Sequence, residues 1–197
     1  MKSIKNIINN YTTLNLFCWV CAVSVVLFYN FLYSFSFLPI TEGWFSVYGN
    51  LINEGMLPYK DFYLYLTPFY PLFISKYIEI FGYTFISLRI LGFVVTFIIT
   101  TLLFFILSKR FKPIPSMFAS VVSMMYYQSG VAYISYDFTQ ILTLLTLSSL
   151  IMLIFASEIK ESDLKINKFK IVLLLIFSGI FASLAFLTKQ SNGSMIL

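Results

Sequence analysis

Five apolar runs, each roughly as long as a membrane-spanning helix needs to be, constrain this chain more than any motif does. They cover 14–38, 85–107, 114–133, 138–156 and 171–187. A helix needs about 20 mostly apolar residues to cross the hydrocarbon core of a bilayer. Only 11% of the 197 residues are charged and 59% are hydrophobic, whereas soluble domains carry about 25% charged residues. A soluble fold of this length has too little interior to hide so much apolar surface. The expected fold class is therefore all-α, a polytopic transmembrane helical bundle with five spans. The same composition excludes a disordered chain, a collagen-like repeat and a disulfide scaffold. Cys18 and Cys21 sit inside the first apolar run and read as packing residues. The chain has no histidine, which excludes a His-built zinc site and a Ser-His-Asp triad. There is no nucleotide-binding motif, internal repeat or low-complexity segment.

Lys2 and Lys5 precede the first run, as in a signal peptide. The run is too long for the apolar segment of such a peptide, and no cleavage site follows, so it is expected to remain as an anchor helix. Cytoplasmic segments of membrane proteins collect Lys and Arg. With the N-terminus inside, Lys2, Lys5, Lys109, Arg110, Lys112, Lys160, Lys165, Lys168 and Lys170 all face the cytoplasm, nine of the thirteen basic residues. Lys60, Lys76 and Lys189 lie outside, with Arg89 just inside the second span. The expected location is the inner (plasma) membrane, multi-pass, with a cytoplasmic N-terminus. The net charge of +5 then reflects topology and attraction to anionic membrane lipids, and calls for no nucleic acid. The chain stops shortly after the polar cluster 188–193, so 1–197 is expected to be one transmembrane domain at the N-terminal end of a longer protein.

The segment 39–84, the first extracytoplasmic loop, cannot span a membrane yet is too apolar for a plain solvated loop. Thr41 is expected to cap a helix beginning at Glu42. Trp44, Val47, Tyr48 and Leu51 then recur at helical spacing, as in an amphipathic helix lying in the membrane interface, which Gly55 ends. A second short helix is expected over 71–81, closed by Gly82. Four carboxylates, Glu42, Glu54, Asp61 and Glu79, gather in this loop. Transporters more typically place charges at mid-membrane on broken helices. Any chemistry here is expected at lipid-headgroup depth on the outer face.

The ordered series Thr41-Glu42-Gly43-Trp44, Asn50-Leu51-Ile52-Asn53-Glu54-Gly55, Pro58-Tyr59-Lys60-Asp61-Phe62, Pro68-Phe69-Tyr70-Pro71-Leu72, Phe81-Gly82, Leu88-Arg89 and Phe186-Leu187-Thr188-Lys189-Gln190 resembles the N-terminal part of the GT-C glycosyltransferases. It is most similar in style to the bacterial dolichyl-phosphate-mannose–protein mannosyltransferase-like and aminoarabinose-transferase-like proteins. The resemblance implies a polytopic enzyme that takes a sugar from a polyprenyl-phosphate donor and transfers it, with inversion, to an acceptor outside the cytoplasm. It implies that Glu42 is the essential acidic residue, either taking the proton of the acceptor hydroxyl or holding a divalent metal ion that activates it. Thr41 stands where the family has Asp. Thr67 stands before Pro68 where the aminoarabinose branch has Lys, so the positive charge for the departing lipid phosphate falls to Lys189 or Arg89.

Each of these residues also has a purely structural use. Glu42 can serve the dipole of the helix it begins, and Asp61 can fix the turn after Pro58 instead of contacting substrate. Arg89 can reach the headgroups or meet an acidic partner or lipid phosphate. Asp137 can complement the start of the fourth span or supply a second acidic residue to the site. The loop tyrosines fit an interfacial aromatic belt and can also stack on a sugar. Two other classes of function stay open: a non-catalytic membrane protein, such as a transporter piece or assembly partner, and a truncated relic of an enzyme.

Overall fold

The computed structural model describes residues 2–35, 39–64, 67–129, 138–159 and 164–189. Among them are seven helices and no strand: α1 (Lys2–Tyr33), α2 (Pro39–Asn53), α3 (Phe69–Phe81), α4 (Phe85–Ser108), α5 (Pro113–Ser129), α6 (Phe138–Ser157) and α7 (Leu164–Thr188). Four are long and apolar enough to cross a membrane, through Thr12–Leu32, Phe85–Ser108, Phe138–Ser157 and Lys168–Thr188. This is the architecture of a membrane protein. The fifth expected span, 114–133, coincides with α5, which has 17 described residues. At 1.5 Å per residue this described part is about 25 Å long, and it is not among the four.

Several boundaries differ from expectation. α1 begins at Lys2 and α7 at Leu164, each well before its apolar run. Hydropathy marks where hydrocarbon begins, whereas a helix continues through Lys, Asn and Ile residues that tolerate it. α2 begins at Pro39, so Thr41 lies inside the first turn and is not its cap. Proline suits that first position, because its missing N–H is one the helix leaves unpaired anyway. α3 likewise starts two residues before Pro71. Its end is as expected: Gly82 adopts φ 85°, and its N–H donates to the Ile78 carbonyl, a conformation costly for any residue with a Cβ. α4 is capped by Thr84, whose Oγ1 accepts the Ser87 N–H at 3.2 Å.

α4 is the hub. It packs on α1, α5, α6 and α3 and is the most buried of the four spans, at 39% against 17% for α7. The main core cluster joins Val26 of α1, Tyr70 and Ile74 of α3, Val95 of α4 and Leu145 of α6. Polar bonds add to this packing. Trp19 Nε1 donates to Thr101 Oγ1 at 3.2 Å and Asn30 Nδ2 to Thr96 Oγ1 at 2.9 Å, fastening α1 to α4. Lipid tails are as apolar as leucine, so helices in a membrane associate through such bonds and close packing.

α6 and α7 form a hairpin closed by a reciprocal serine clasp. The Ser149 and Ser178 hydroxyls lie 2.9 Å apart, and each also donates to the other's backbone carbonyl. Both residues are buried. Replacing both by alanine is expected to weaken the hairpin by about 1–2 kcal/mol, read as a lower resistance to unfolding in mixed micelles. Unchanged resistance would show that the clasp contributes nothing to association.

Candidate functional site at the α2–α3 end

The bundle has two chemically different ends. At one, Lys109 of the α4 terminus binds Glu158 just beyond α6, 2.7 Å from Oε1, and lies 4.4 Å from the centre of the Phe155 ring. α4 and α6 therefore finish at the same end, with Arg110 and Lys112 beside them in the chain. At the other end the start of α4 meets the end of α1, the start of α6 meets α3, and α7 finishes. Three of the proposed site residues, Asp61, Arg89 and Lys189, belong to that second end, as does the helix that carries Glu42.

α2 and α3 form a paired platform there. Gly49 lets their backbones approach: a Cβ on it would lie 2.7 Å from Ile74 Cγ2 and 3.1 Å from the Ser75 nitrogen. Asn53 closes the pair, donating to the Ser75 carbonyl at 3.1 Å while the Ser75 hydroxyl donates to its Oδ1. Glu42 lies in the first turn of α2; its side chain is outside the described ones. Farther along the helix, Tyr48 stacks between Trp44 and Phe62, with ring centres 6.5 and 5.5 Å away. Burial pushes the Tyr48 phenol above its ordinary range. Trp44 itself stays half exposed, as an interfacial aromatic does.

Asp61 fixes the turn after Pro58. Its Oδ2 accepts the Leu57 N–H at 2.8 Å, and its own N–H donates to the Leu57 carbonyl at 2.9 Å. This turn holds Tyr59 at φ 67°, a left-handed conformation uncommon for a bulky residue. The Tyr59 N–H bond to the Phe62 carbonyl, 3.0 Å, helps keep it there. The carboxylate thus has the structural use weighed for it, with its residue still exposed.

Arg89 sits one turn into α4, half buried, and its Nη1 donates to the Ser34 carbonyl just past α1. The last carbonyls of a helix lack intrahelical partners and carry its partial negative charge. A guanidinium there both satisfies one of them and ties α4 to α1. Lys189 follows the last residue of α7 and rests over the Phe138 ring, 4.9 Å from its centre. Phe138 meets the fully buried Tyr70 edge-on at 6.3 Å. One cation thereby marks the junction of α7, α6 and α3. Thr188 and Gln140, beside these residues in sequence, are also fully buried.

Asp137 lies outside the described residues. Among the described residues, no ion pair joins Asp61, Arg89 and Lys189, and no three His, Cys, Asp or Glu groups converge as a metal site. The aromatic seat of Lys189 was not foreseen from the sequence, because Phe138 is 51 positions away and Tyr70, which meets that ring, is 119 away. No protein-family model, curated protein or solved structure matches the chain.

Proposed function

We propose that this protein is a membrane glycosyltransferase of the GT-C kind, moving a sugar from a polyprenyl-phosphate donor to an acceptor at the extracytoplasmic surface. The observation that carries the reading is the α2–α3 platform, between the first membrane helix and α4. It stands at the same end of the bundle as Lys189 and Arg89 and carries Glu42 at its start. In this reading Glu42 takes the proton of the acceptor hydroxyl as the bond to the sugar forms. Lys189 favours the departing lipid phosphate, whose negative charge persists after the sugar leaves, and Arg89 stands at the same end of the bundle. Asp61, in the connector between α2 and α3, and Asp137, which precedes α6 in the chain, are the further acidic residues this reading assigns to substrate binding. The test is direct: membranes containing the protein, given a radiolabelled polyprenyl-phosphate sugar, should yield labelled acceptor, whereas absence of transfer with all of the common donor sugars overturns the reading. Chelation by EDTA separates the two uses of Glu42. Transfer that survives assigns it the proton, and transfer lost and restored by Mg²⁺ or Mn²⁺ assigns it a metal.

The same reading places the N-terminus in the cytoplasm and makes five spans. The five-span count draws on the shared direction of α4 and α6, which start at one end and finish at the other, with α5 packed along α1 and α4; the orientation draws on the basic residues at the α4–α6 finishing end. A single cysteine at Lys60, in a chain with Cys18 and Cys21 replaced by alanine, is expected to react with a membrane-impermeant maleimide in intact cells. A cysteine at Arg110 is expected to react only after permeabilisation. The reverse pattern would invert the topology and remove the outer-surface site.

A further inference from the structure

The two cysteines of the chain stand one turn apart on α1, in the run Cys18-Trp19-Val20-Cys21. Residues three apart on a helix are neighbours, with Cβ atoms about 5–6 Å from each other. Both are free thiols. Cys18 is 2% exposed and forms a small core cluster with Ala22 and Phe104, against which Met117 of α5 packs. Cys21 is only partly buried, so the pair can be reached from outside. Met117 and Val121, one turn apart on α5, both border the Cys18 cluster. The hydroxyls of that helix are already used: Ser116 and Ser120, both fully buried, donate to the carbonyls of Lys112 and Ser116 on α5 itself. Where α1 packs on α5, the chemistry available to a ligand is therefore sulfur: two thiols on one helix and a thioether on the other.

We propose that Cys18, Cys21 and Met117 form a three-sulfur site for a soft monovalent cation, Cu(I), held between α1 and α5. The donor set selects the ion. Thiolate and thioether ligands favour Cu(I). Structural zinc takes four ligands from Cys, His and carboxylates; the chain has no histidine, and among the described residues no third Cys, Asp or Glu joins the pair. Metal–sulfur bonds of about 2.3 Å put two ligating sulfurs at most ~4.6 Å apart, a span that side chains leaving neighbouring Cβ atoms can close. The thiols release their protons as they ligate. Met117 adds a third donor without adding charge, which suits an apolar setting. The site is separate from Glu42 and Lys189 and stands independently of sugar transfer.

The experiment uses the full chain, purified in detergent under reducing, oxygen-free conditions. It is titrated with Cu(I) against a chromogenic Cu(I) chelator, and the loaded protein is examined by X-ray absorption at the copper edge. One ion per chain is expected, with three sulfurs at about 2.3 Å and no nitrogen or oxygen in its first shell. Cys21→Ser, at the less buried of the two positions, is expected to weaken binding by roughly 10–100-fold or more. Met117→Leu conserves volume and is expected to cut the shell from three sulfurs to two, a readout that a packing role alone would not move. Met56→Leu, in the exposed α2–α3 connector, should change neither affinity nor shell. Ag(I) should displace Cu(I), and Zn²⁺ in excess should not. Binding that persists in the Cys18→Ala, Cys21→Ala chain would be adventitious and overturn the proposal. Displacement by Zn²⁺, a nitrogen or oxygen ligand in the shell, or an unchanged shell in Met117→Leu would overturn it as well.

Discussion

Sugar transfer is expected to fall by roughly 10²–10⁴-fold when Glu42 is replaced by glutamine, with the amount of protein in the membrane unchanged. That range is what removing a positioned general base costs. Glutamine preserves the length and shape of the side chain and is as good a helix former as glutamate, so α2 keeps its conformation. The competing account treats Glu42 as a first-turn acid that interacts with the helix dipole, a contribution of about 0.3–1 kcal/mol. Loss of that contribution would shift thermal stability by a few degrees and leave turnover within about twofold. The two accounts therefore differ by at least an order of magnitude in rate and are separated by measuring transfer alongside an immunoblot of the membrane fraction. Glu42→Asp sharpens the comparison. It restores the charge but withdraws the carboxylate by one methylene, so a base that must reach a hydroxyl recovers only part of its rate. A dipole partner would recover fully.

What the sequence revealed of this fold depended on which physical signal marked each feature. The extent of α4 was legible because hydropathy and local chemistry agree there. Thr84 caps its start, and the polar turn Lys109–Phe111 follows its end. Gly82 was legible as the end of α3 for a similar reason, since a positive φ is cheap only for glycine. The starts of α1, α2 and α7 were not legible. For α1 and α7, helix and hydrocarbon part company: a chain with Lys and Asn in its first turns leaves the bilayer without unwinding. For α2, a Thr before a Glu resembles a capping pattern, yet Pro39 two residues earlier already offers a first helical position. Local signals could not decide between two acceptable beginnings.

The shared end of the bundle for Asp61, Arg89 and Lys189 was legible, and their contacts were not. α4 and α6 run in the same direction, so the gathering of α2, Asp61, Arg89 and Lys189 at one end follows from the order of the helices along the chain. The partners of each side chain depend on helix rotation and register, which a linear pattern of apolar residues leaves open. Arg89 could have faced lipid, and its bond to Ser34 joins residues 55 positions apart. Lys189 could have remained in solvent, and its seat on Phe138 depends on how the α6–α7 hairpin leans against α3. The Asp61 turn is the exception. Its bonds run within five residues, and the sequence Pro58-Tyr59-Lys60-Asp61 already contained them as one of two readings.

Replacing Gly49 by valine is expected to separate α2 from α3 and, with it, to remove whatever activity the platform supports. Even the first added carbon meets Ile74 Cγ2 at 2.7 Å and backbone at 3.1 Å, and the β-branch brings two more methyl groups to the same face. Overpacking of this kind typically costs about 1–3 kcal/mol. α2 is a 15-residue helix whose main helix contacts are with α3, and its bonds to Ser75 both run through Asn53. The separation is measurable without any substrate. In a chain with Cys18 and Cys21 replaced by alanine, Asn53→Cys and Ser75→Cys place two thiols where the native side chains touch. A short bifunctional thiol reagent should join them efficiently, with the link resolved by protease cleavage at a site engineered between α2 and α3. Adding Gly49→Val should reduce that yield at least fivefold, while Gly179→Ala, at a glycine of α7 whose Cβ would meet open space, should leave the pair within reach. Crosslinking that persists in Gly49→Val would mean that Ile74 yields and the helices stay paired. Transfer would then be expected to survive as well, because the position of Glu42 depends on the seat of α2 against α3.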